Sequence, residues 1–379
     1  MKLMQQSTSL LSALFALAVV FVSAASVSAQ PAQPFPSQGI VKRAGGFQMD
    51  GYWVWDGSVI KGEDGLYHMF ASRWPRNITF HPGWMLKSEV VHATSETIEG
   101  PYTFRDVVLP ARGAEYWDGR ATHNPTIRKH GDTYLLFYMG STHPLEDPAP
   151  GVRLTLQEPR CIVARANKRI GLATAKSPYG PWTRLDHPIL DCKPGTFYSL
   201  LTSNPAPVVH EDGSVLMIFK SRRFEGTLAD PKQSHMMLGL ARAKHYAGPY
   251  EVVGDKPLFG REHFGEVEDP FVWQSPRGGY ELIAKDMSGK LCGEKHAAIH
   301  ATSPDGENWT LSTPAKSYTK VLRWDDGSTQ RMGHLERPFV YLENGYPRYL
   351  FCATADGPGG FNNASKTWVV AMPLETVTK

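Results

Sequence analysis

An all-β chain folded as a single domain, a five-bladed β-propeller of four-stranded antiparallel blades, is what this sequence predicts. The first observation is a polar opening phrase that recurs five times, at intervals of roughly 65 to 80 residues. Its copies are Trp55-Asp56-Gly57-Ser58-Val59, His123-Asn124-Pro125-Thr126-Ile127, Ser203-Asn204-Pro205-Ala206-Pro207, Glu268-Asp269-Pro270-Phe271-Val272 and Glu336-Arg337-Pro338-Phe339-Val340. The second is an aromatic and β-branched run after a turn in each copy: Tyr67 to Ser72, Thr133 to Ser141, Val215 to Ser221, Tyr280 to Asp286 and Tyr349 to Thr354. The third is an Ala-rich phrase leading into a turn in the first four copies, such as Ala93-Thr94-Ser95 to Gly100-Pro101-Tyr102. Repeats of this length, built from short strands and turn residues, signal a radial array of small sheets.

From the N-terminus, Met1-Lys2 opens a short polar leader, Leu10 to Val22 is apolar, and Val27-Ser28-Ala29 precedes Gln30 with small residues. Residues 1–29 therefore read as a secretory signal peptide, and the expected location is periplasmic or secreted. The apolar run is too short for a membrane span, so no membrane partner is expected after cleavage. Residues 30–46 carry Pro and Gln without periodicity and read as a flexible leader. The propeller is assigned 47–379, with blades at about 52–109, 122–190, 203–259, 266–318 and 334–374. Little chain follows the terminal strand Trp368 to Met372, so a segment near Phe47 to Tyr52 is expected to supply an outer strand and close the ring. Closure removes free edges. The stretch from His143 to Ala166 is an insertion, acidic and Pro-rich at first, either a functional lid or a surface excursion.

Composition excludes some classes. The 379 residues are 41% apolar and 20% charged, with a formal charge of +3 and no basic run interleaved with aromatics. Nucleic acid is not an expected partner. Cys161, Cys192, Cys292 and Cys352 allow three pairings in an oxidising compartment. Cys161 and Cys192 flank the third strand of the second blade, which favours a local bridge; burial as small apolar side chains is the alternative. No CxxC or Cys/His zinc spacing occurs.

Propeller geometry turns sequence position into location. The start of a first strand and the end of the antiparallel second strand meet around one opening. Asp56, His123, Asn124, Asn204, Glu268, Asp269, Glu336 and Arg337 are placed there by the first strands. Arg73, Trp74, His143, Lys220, Arg222, Lys285, Asp286 and Asp356 are placed there by the second strands. Charges crowded at a partly dry site cost free energy unless paired, and they push one another's pKa values apart. Turn chemistry alone accounts for Asp56 or Asp269, since Asp before Gly or Pro is ordinary. It does not account for Glu268 and Glu336 beside them. Glycosidic hydrolysis needs such a set: one carboxylate as base or nucleophile, and an acid of raised pKa to protonate the departing oxygen. Trp53, Trp55, Trp84, Tyr116 and Trp117 offer rings for sugar faces or, equally, for packing between blades.

These features resemble the five-bladed propeller glycoside hydrolases, the superfamily of families 43, 32 and 117. The resemblance covers about Gly46 to Leu374. It is carried by Trp55-Asp56-Gly57-Ser58, Asp64-Gly65-Leu66-Tyr67, the repeated Gly-Pro-Tyr/Trp turns and Glu268-Asp269-Pro270. By the family 43 pattern, Asp56 would be the general base and Glu268 the acid. The third-blade orienting Asp is Asn204 here, a departure that leaves its work to Glu268, Asp269 or Glu336. The family 117 pattern implies a His acid near His263. The resemblance also implies that a calcium or other ion can sit in the central channel near His123 and His334, with no cofactor required for catalysis. Trp55, Arg73, Trp74, His123, Asn124, Asn204, Arg222, Lys285 and Arg337 are the expected substrate-binding residues. Arg73, Arg120, Lys220, Arg222 and Arg337 exceed what a neutral sugar needs, and arginine recognises carboxylate or sulfate, so an acidic or sulfated glycan end is expected. The leading expectation is an exported, exo-acting, inverting hydrolase with a carbohydrate substrate. A glycan phosphorylase of this fold and a non-catalytic carbohydrate-binding propeller stay open beside it.

Overall fold

The computed structural model describes residues 35–227, 230–259 and 265–375. The signal-peptide reading of residues 1–29 and the assignment of His263 both lie outside the described residues. Strand is the dominant regular structure of the described chain, which forms five four-stranded antiparallel sheets beside a three-stranded and a two-stranded one. The first contains Tyr52–Lys61, Tyr67–Pro75, Glu89–Ser95 and Thr103–Leu109. The second contains Ala121–His130, Thr133–Ser141, Arg169–Ala175 and Thr183–Arg184. The third contains Leu201–Val209, Val215–Arg222, Met237–Ala243 and Glu251–Val252. The fourth contains Val267–Gln274, Tyr280–Asp286, Ala298–Ser303 and Thr310–Tyr318. The fifth contains His334–Glu343, Tyr346–Ala355, Thr367–Glu375 and, from the other end of the sequence, Ser37–Gln38.

Each first strand packs beside the first strand of the next sheet, and that of the fifth sheet packs beside Tyr52–Lys61. Strand side chains alternate between faces, so both faces of a sandwiched sheet must be apolar. Leu136 and Tyr138 of the second sheet accordingly meet Phe70 and Val90 of the first, while Leu135 and Phe137 meet Met217 and Phe219 of the third. Ile218 and Leu240 pack on Leu282 and Ala284, and Ile283 joins Phe351 and Met69 in the largest cluster.

The opening phrases share one backbone event. Pairing between the first two strands slips after Trp55, His123, Ser203, Glu268 and Glu336, a bulge in every sheet. The next residue is left-handed each time: Asp56 (φ 55°), Asn124 (56°), Asn204 (51°), Asp269 (55°) and Arg337 (56°). Asp and Asn tolerate this region because their short polar side chains bond locally. Arginine does not share that advantage, so Arg337 is held there by its surroundings. A bulge re-aims a side chain, and here it turns five polar groups inward.

Three expectations are corrected. Residues 35–46 are not a flexible leader: Ser37–Gln38 pairs with Leu374 and Glu375, and Ile40–Val41 runs parallel to Val321–Trp324. The outer strand of the fifth sheet is therefore Ser37–Gln38, while Phe47 makes only an isolated bridge to Val369. The four cysteines are free thiols, because Cys161 faces Ile78, Met85 and Leu86 from its helix and Cys352 lies in the largest apolar cluster. The insertion from His143 is partly helical. Pro159–Ala166 starts on a proline, whose missing N–H costs a helix nothing at its first turn, and packs on the helical segment Phe80–Lys87.

Candidate active site

The five left-handed residues form a closed ring of hydrogen bonds. Arg337 Nε donates to Asp56 Oδ1 at 3.0 Å, and its Nη1 lies 3.3 Å from Asp269 Oδ1. Asn204 Nδ2 donates to Asp269 Oδ1 at 2.7 Å, and Asn124 Nδ2 donates to Asn204 Oδ1 at 2.6 Å. The backbone N–H of Asn124 returns to Asp56 Oδ2 at 3.1 Å. Asp56 Oδ2 also accepts from Ser72 Oγ at 2.9 Å and lies 3.3 Å from His123 Nε2. Four of the five ring residues are buried, Asp56 being only 1% exposed, and Arg337 is half-buried.

The residues just before the bulges stand one step further out, and two of them are Glu268 and Glu336. Lys285, the penultimate residue of the second strand of the fourth sheet, reaches both. Its Nζ is 2.9 Å from Glu268 Oε2, 3.0 Å from Asp269 Oδ2 and 3.1 Å from Glu336 Oε1. Lys220 contacts the other oxygen of Glu268, and His334 Nδ1 is 3.0 Å from Glu336 Oε1. Burial works against the charge on Glu268, but Lys220 and Lys285 outweigh it and hold the carboxyl well below its usual range. Burial likewise opposes ionisation of Glu336, yet Lys285 and His334 bring it down to about 2. Asp269 moves the other way: burial raises it, Lys285 only partly compensates, and the charge of Glu268 adds to the rise. Lys285 is well above the ordinary lysine value because the three carboxylates overcome its burial.

Aromatic rings form the adjoining wall. Phe361 stacks on His334 at 3.9 Å between ring centres and on His81 at 4.9 Å, and Trp55 meets Phe80, His334 and Phe361 edge-on or tilted. Trp84 stacks on His123 at 4.6 Å and donates to His81 Nδ1 at 3.0 Å. Burial lowers His81 and His123 to about 4 each, with Lys168 and Arg165 adding to the effect on His81. Both imidazoles are neutral in a neutral solution.

The expected residues divide by place. Trp55, His123, Glu268, Glu336, Lys285 and Arg222 border this mouth, and Asp56, Asn124, Asn204, Asp269 and Arg337 form the ring beneath it. Arg73 belongs to neither. It pairs with Glu89 at 2.9 Å and is stacked on Tyr52 and Phe104, contacts that occupy its guanidinium. Trp74 is fully buried and stacked on Phe80 behind the aromatic wall. Asp286 and Asp356 bind backbone N–H groups of the loops that follow them. The channel ion fits poorly with this ring, because the Arg337 guanidinium already lies between Asp56 and Asp269. Among the described residues no group of three or more His, Cys, Asp or Glu is arranged to hold a metal.

Sequence reasoning missed His81, Phe361, Arg165 and Lys168. Lys168 immediately precedes the third strand of the second sheet, and a third strand starts at the same end as a first strand. The other three sit in connections between second and third strands, which fold over that end. A search of third-strand starts would have found Lys168; nothing in the sequence distinguishes Phe361.

No protein-family profile matches this sequence, and no curated protein matches it. Solved structures do. Zg3597, a family 117 glycoside hydrolase produced by the marine bacterium Zobellia galactanivorans, is 18% identical over 90% of each chain, with a TM-score of 0.59. CoXyl43, a family 43 β-xylosidase/α-arabinofuranosidase from a compost microbial metagenome, is 15% identical over 89% of this protein and 94% of its own length, with a TM-score of 0.54. The endo-arabinase from Bacteroides thetaiotaomicron is 13% identical over 90% and 96%, with a TM-score of 0.51. At these identities the likeness establishes the shared fold; the resemblance to glycoside hydrolases of families 117 and 43 stands at that level.

Proposed function

We propose that the five sheets are the blades of a closed propeller and that the chain is an exported glycoside hydrolase acting at a glycan end. The observation that carries this reading is the meeting of Glu268 and Glu336 on Lys285, at a mouth walled by Trp55, His81, Trp84 and Phe361. The likeness to glycoside hydrolase structures supports it. Export rests on the sequence of residues 1–29 alone.

The roles follow from accessibility. Asp56 takes donors from Arg337, Ser72 and Asn124 and faces His123, which occupies the lone pairs a base needs for a water proton. Glu336 is the more open carboxylate, held ionised, and we assign it the base or nucleophile role in place of Asp56. Glu268 is assigned the acid. A sugar that separates it from Lys220 removes part of the charge holding its pKa down, and exclusion of water raises it further. Both oxygens that face Lys285 lie within 3.1 Å of Nζ, so about 6 Å at most separates them. That upper bound falls short of the roughly 6.5 to 9.5 Å of inverting enzymes and admits the roughly 5 to 5.5 Å of retaining ones. Retention therefore replaces inversion as the expected outcome for this pair.

The test is a panel of neutral, uronic and sulfated oligosaccharides, incubated with the wild type, Glu268→Gln, Glu336→Gln and Asp56→Asn. Sugar released by the wild type and lost in both Glu variants supports the assignment. Full activity in Glu336→Gln returns the base role to Asp56. Binding of one glycan without release by any protein favours a carbohydrate-binding propeller. Release that requires inorganic phosphate favours a phosphorylase.

A further inference from the structure

Lys168 stands at this mouth without a carboxylate. Its side chain is buried, the residue being 4% exposed, and its Nζ lies 4.0 Å from the centre of the Trp84 ring. Among the described residues the ammonium has no hydrogen-bond or ion-pair partner. A lone buried charge of this kind is costly, and a protein retains it where something else supplies the counter-charge.

Its neighbours are cations. The carbonyl of Lys168 accepts from the backbone N–H of Thr202 at 3.3 Å, which docks it against the first strand of the third sheet. The residues flanking Thr202 are Leu201 and Ser203, and they pair across the sheet with Arg222 and Lys220. Arg165 approaches from the helix Pro159–Ala166. Burial pushes Lys168 well below the ordinary lysine value, and the charges of Lys220, Arg165 and Arg222 push in the same direction. The acids nearby are committed elsewhere: Glu268 is shared between Lys220 and Lys285, and Glu266 accepts the backbone N–H of Met236 at 2.9 Å. Arg222 spends one nitrogen on the carbonyl of Ser234, at 2.6 Å. Three cations thus act on Lys168, and among the described residues only Lys220 of the four is ion-paired, to Glu268.

We propose that Lys168, with Arg165, Lys220 and Arg222, forms an oxyanion subsite that receives a sulfate ester or a carboxylate on the end sugar of the glycan. The subsite rests on the glycan-cleaving reading and specifies its substrate class. Such a group would give Lys168 its missing acceptor, and the Trp84 face beside it suits the apolar side of the ring that carries the anion. Charge-assisted bonds to an oxyanion are the strong class of hydrogen bond, and guanidinium groups add planar recognition.

The experiment is calorimetric titration of the intact protein with sodium sulfate and, separately, sodium glucuronate, at constant ionic strength, since free salt screens exposed charge. Wild type, Lys168→Met and Lys168→Arg are compared after circular dichroism has shown that all three are folded. The expected result is saturable binding of one anion by the wild type, weakened about tenfold or more in Lys168→Met and largely kept in Lys168→Arg. Preference for sulfate assigns a sulfate ester; preference for glucuronate assigns a uronic acid. Binding of neither anion by the wild type, or equal binding by wild type and Lys168→Met, overturns the proposal. Binding is read without turnover, so its failure is separable from that of the hydrolase reading. A protein that binds sulfate but cleaves no glycan keeps the subsite and loses the hydrolase. One that releases neutral sugars and binds neither anion does the reverse.

Discussion

Arg337 and Asp56, separated by 281 residues, meet through a 3.0 Å bond from Nε to Oδ1. This contact joins the last sheet to the first and completes a ring in which each of the five sheets contributes one left-handed residue. The strained backbone of Arg337 is stabilised by the two carboxylates it reaches.

Removing that guanidinium leaves Asp56 and Asp269 buried with fewer partners. Breaking a buried pair from one side typically costs about 3 to 5 kcal/mol, and Arg337→Met is expected to lose that much in urea unfolding. A loss below about 1 kcal/mol, the scale of an exposed ion pair, would show that the ring does not hold the sheets together.

Glu268→Gln and Glu336→Gln are each expected to reduce kcat/KM by about a hundredfold or more, the usual contribution of a positioned acid or base. Steady-state kinetics on whichever glycan the panel identifies will decide. A variant that retains near-normal turnover was not one of the reacting pair.

Arg73→Met should separate stability from catalysis. Arg73 is bonded to Glu89 and stacked on Tyr52 and Phe104, and it makes no contact with the Glu268 cluster. The unfolding midpoint is expected to fall while kcat/KM of the folded enzyme stays near wild type. A rise in KM alone would return Arg73 to the substrate.

Acid should destabilise this protein in two stages. Burial lowers His81 and His123 from 6.5 to about 4, so the unfolded chain binds more protons than the native one between those values. Glu336, lowered from 4.5 to about 2 against its burial by Lys285 and His334, extends the same trend. Stability from these groups is complete above pH 6.5 and is lost as pH falls, first through the imidazole window and then through the carboxylate window. Thermal midpoints measured from about pH 7 to about pH 3 should fall throughout. A flat profile between pH 6.5 and about pH 4 would mean that the two imidazoles are not buried as neutral groups.

The free thiols can be counted. Unfolded without reductant, the chain should offer four thiols to a colorimetric reagent. Two would indicate a bridge, with Cys161 and Cys192 the pair to test by peptide mapping. Reductant should leave the melting temperature unchanged.

Local chemistry made much of the fold legible. Asp56-Gly57, Asn124-Pro125, Asn204-Pro205 and Asp269-Pro270 announce left-handed bulges by residue type, and the aromatic runs after each turn announce second strands. Ser37–Gln38 was not legible as an outer strand. Two residues carry no period, and their partner lies at the opposite end of the sequence. The insertion was visible as a long loop, but Cys161 gave no sign that its helix would bury it against Met85 and Leu86.

The candidate site was legible as a collection and not as an arrangement. Glu268, Glu336 and Lys285 could be assigned to one mouth because strand direction follows from the repeat. That three carboxylates would share Lys285, that Asp56 would be bonded to Arg337, and that Arg73 would turn to Glu89 could not be. Sequence alone determined the repeated β architecture and the polar residue at each bulge, since turns and strands respond to neighbours a few positions away. Only the tertiary structure decided which charges meet and which, like Lys168, find no carboxylate among the described residues. Coulomb interactions and burial depend on distances in space, and these are set when all five sheets pack together.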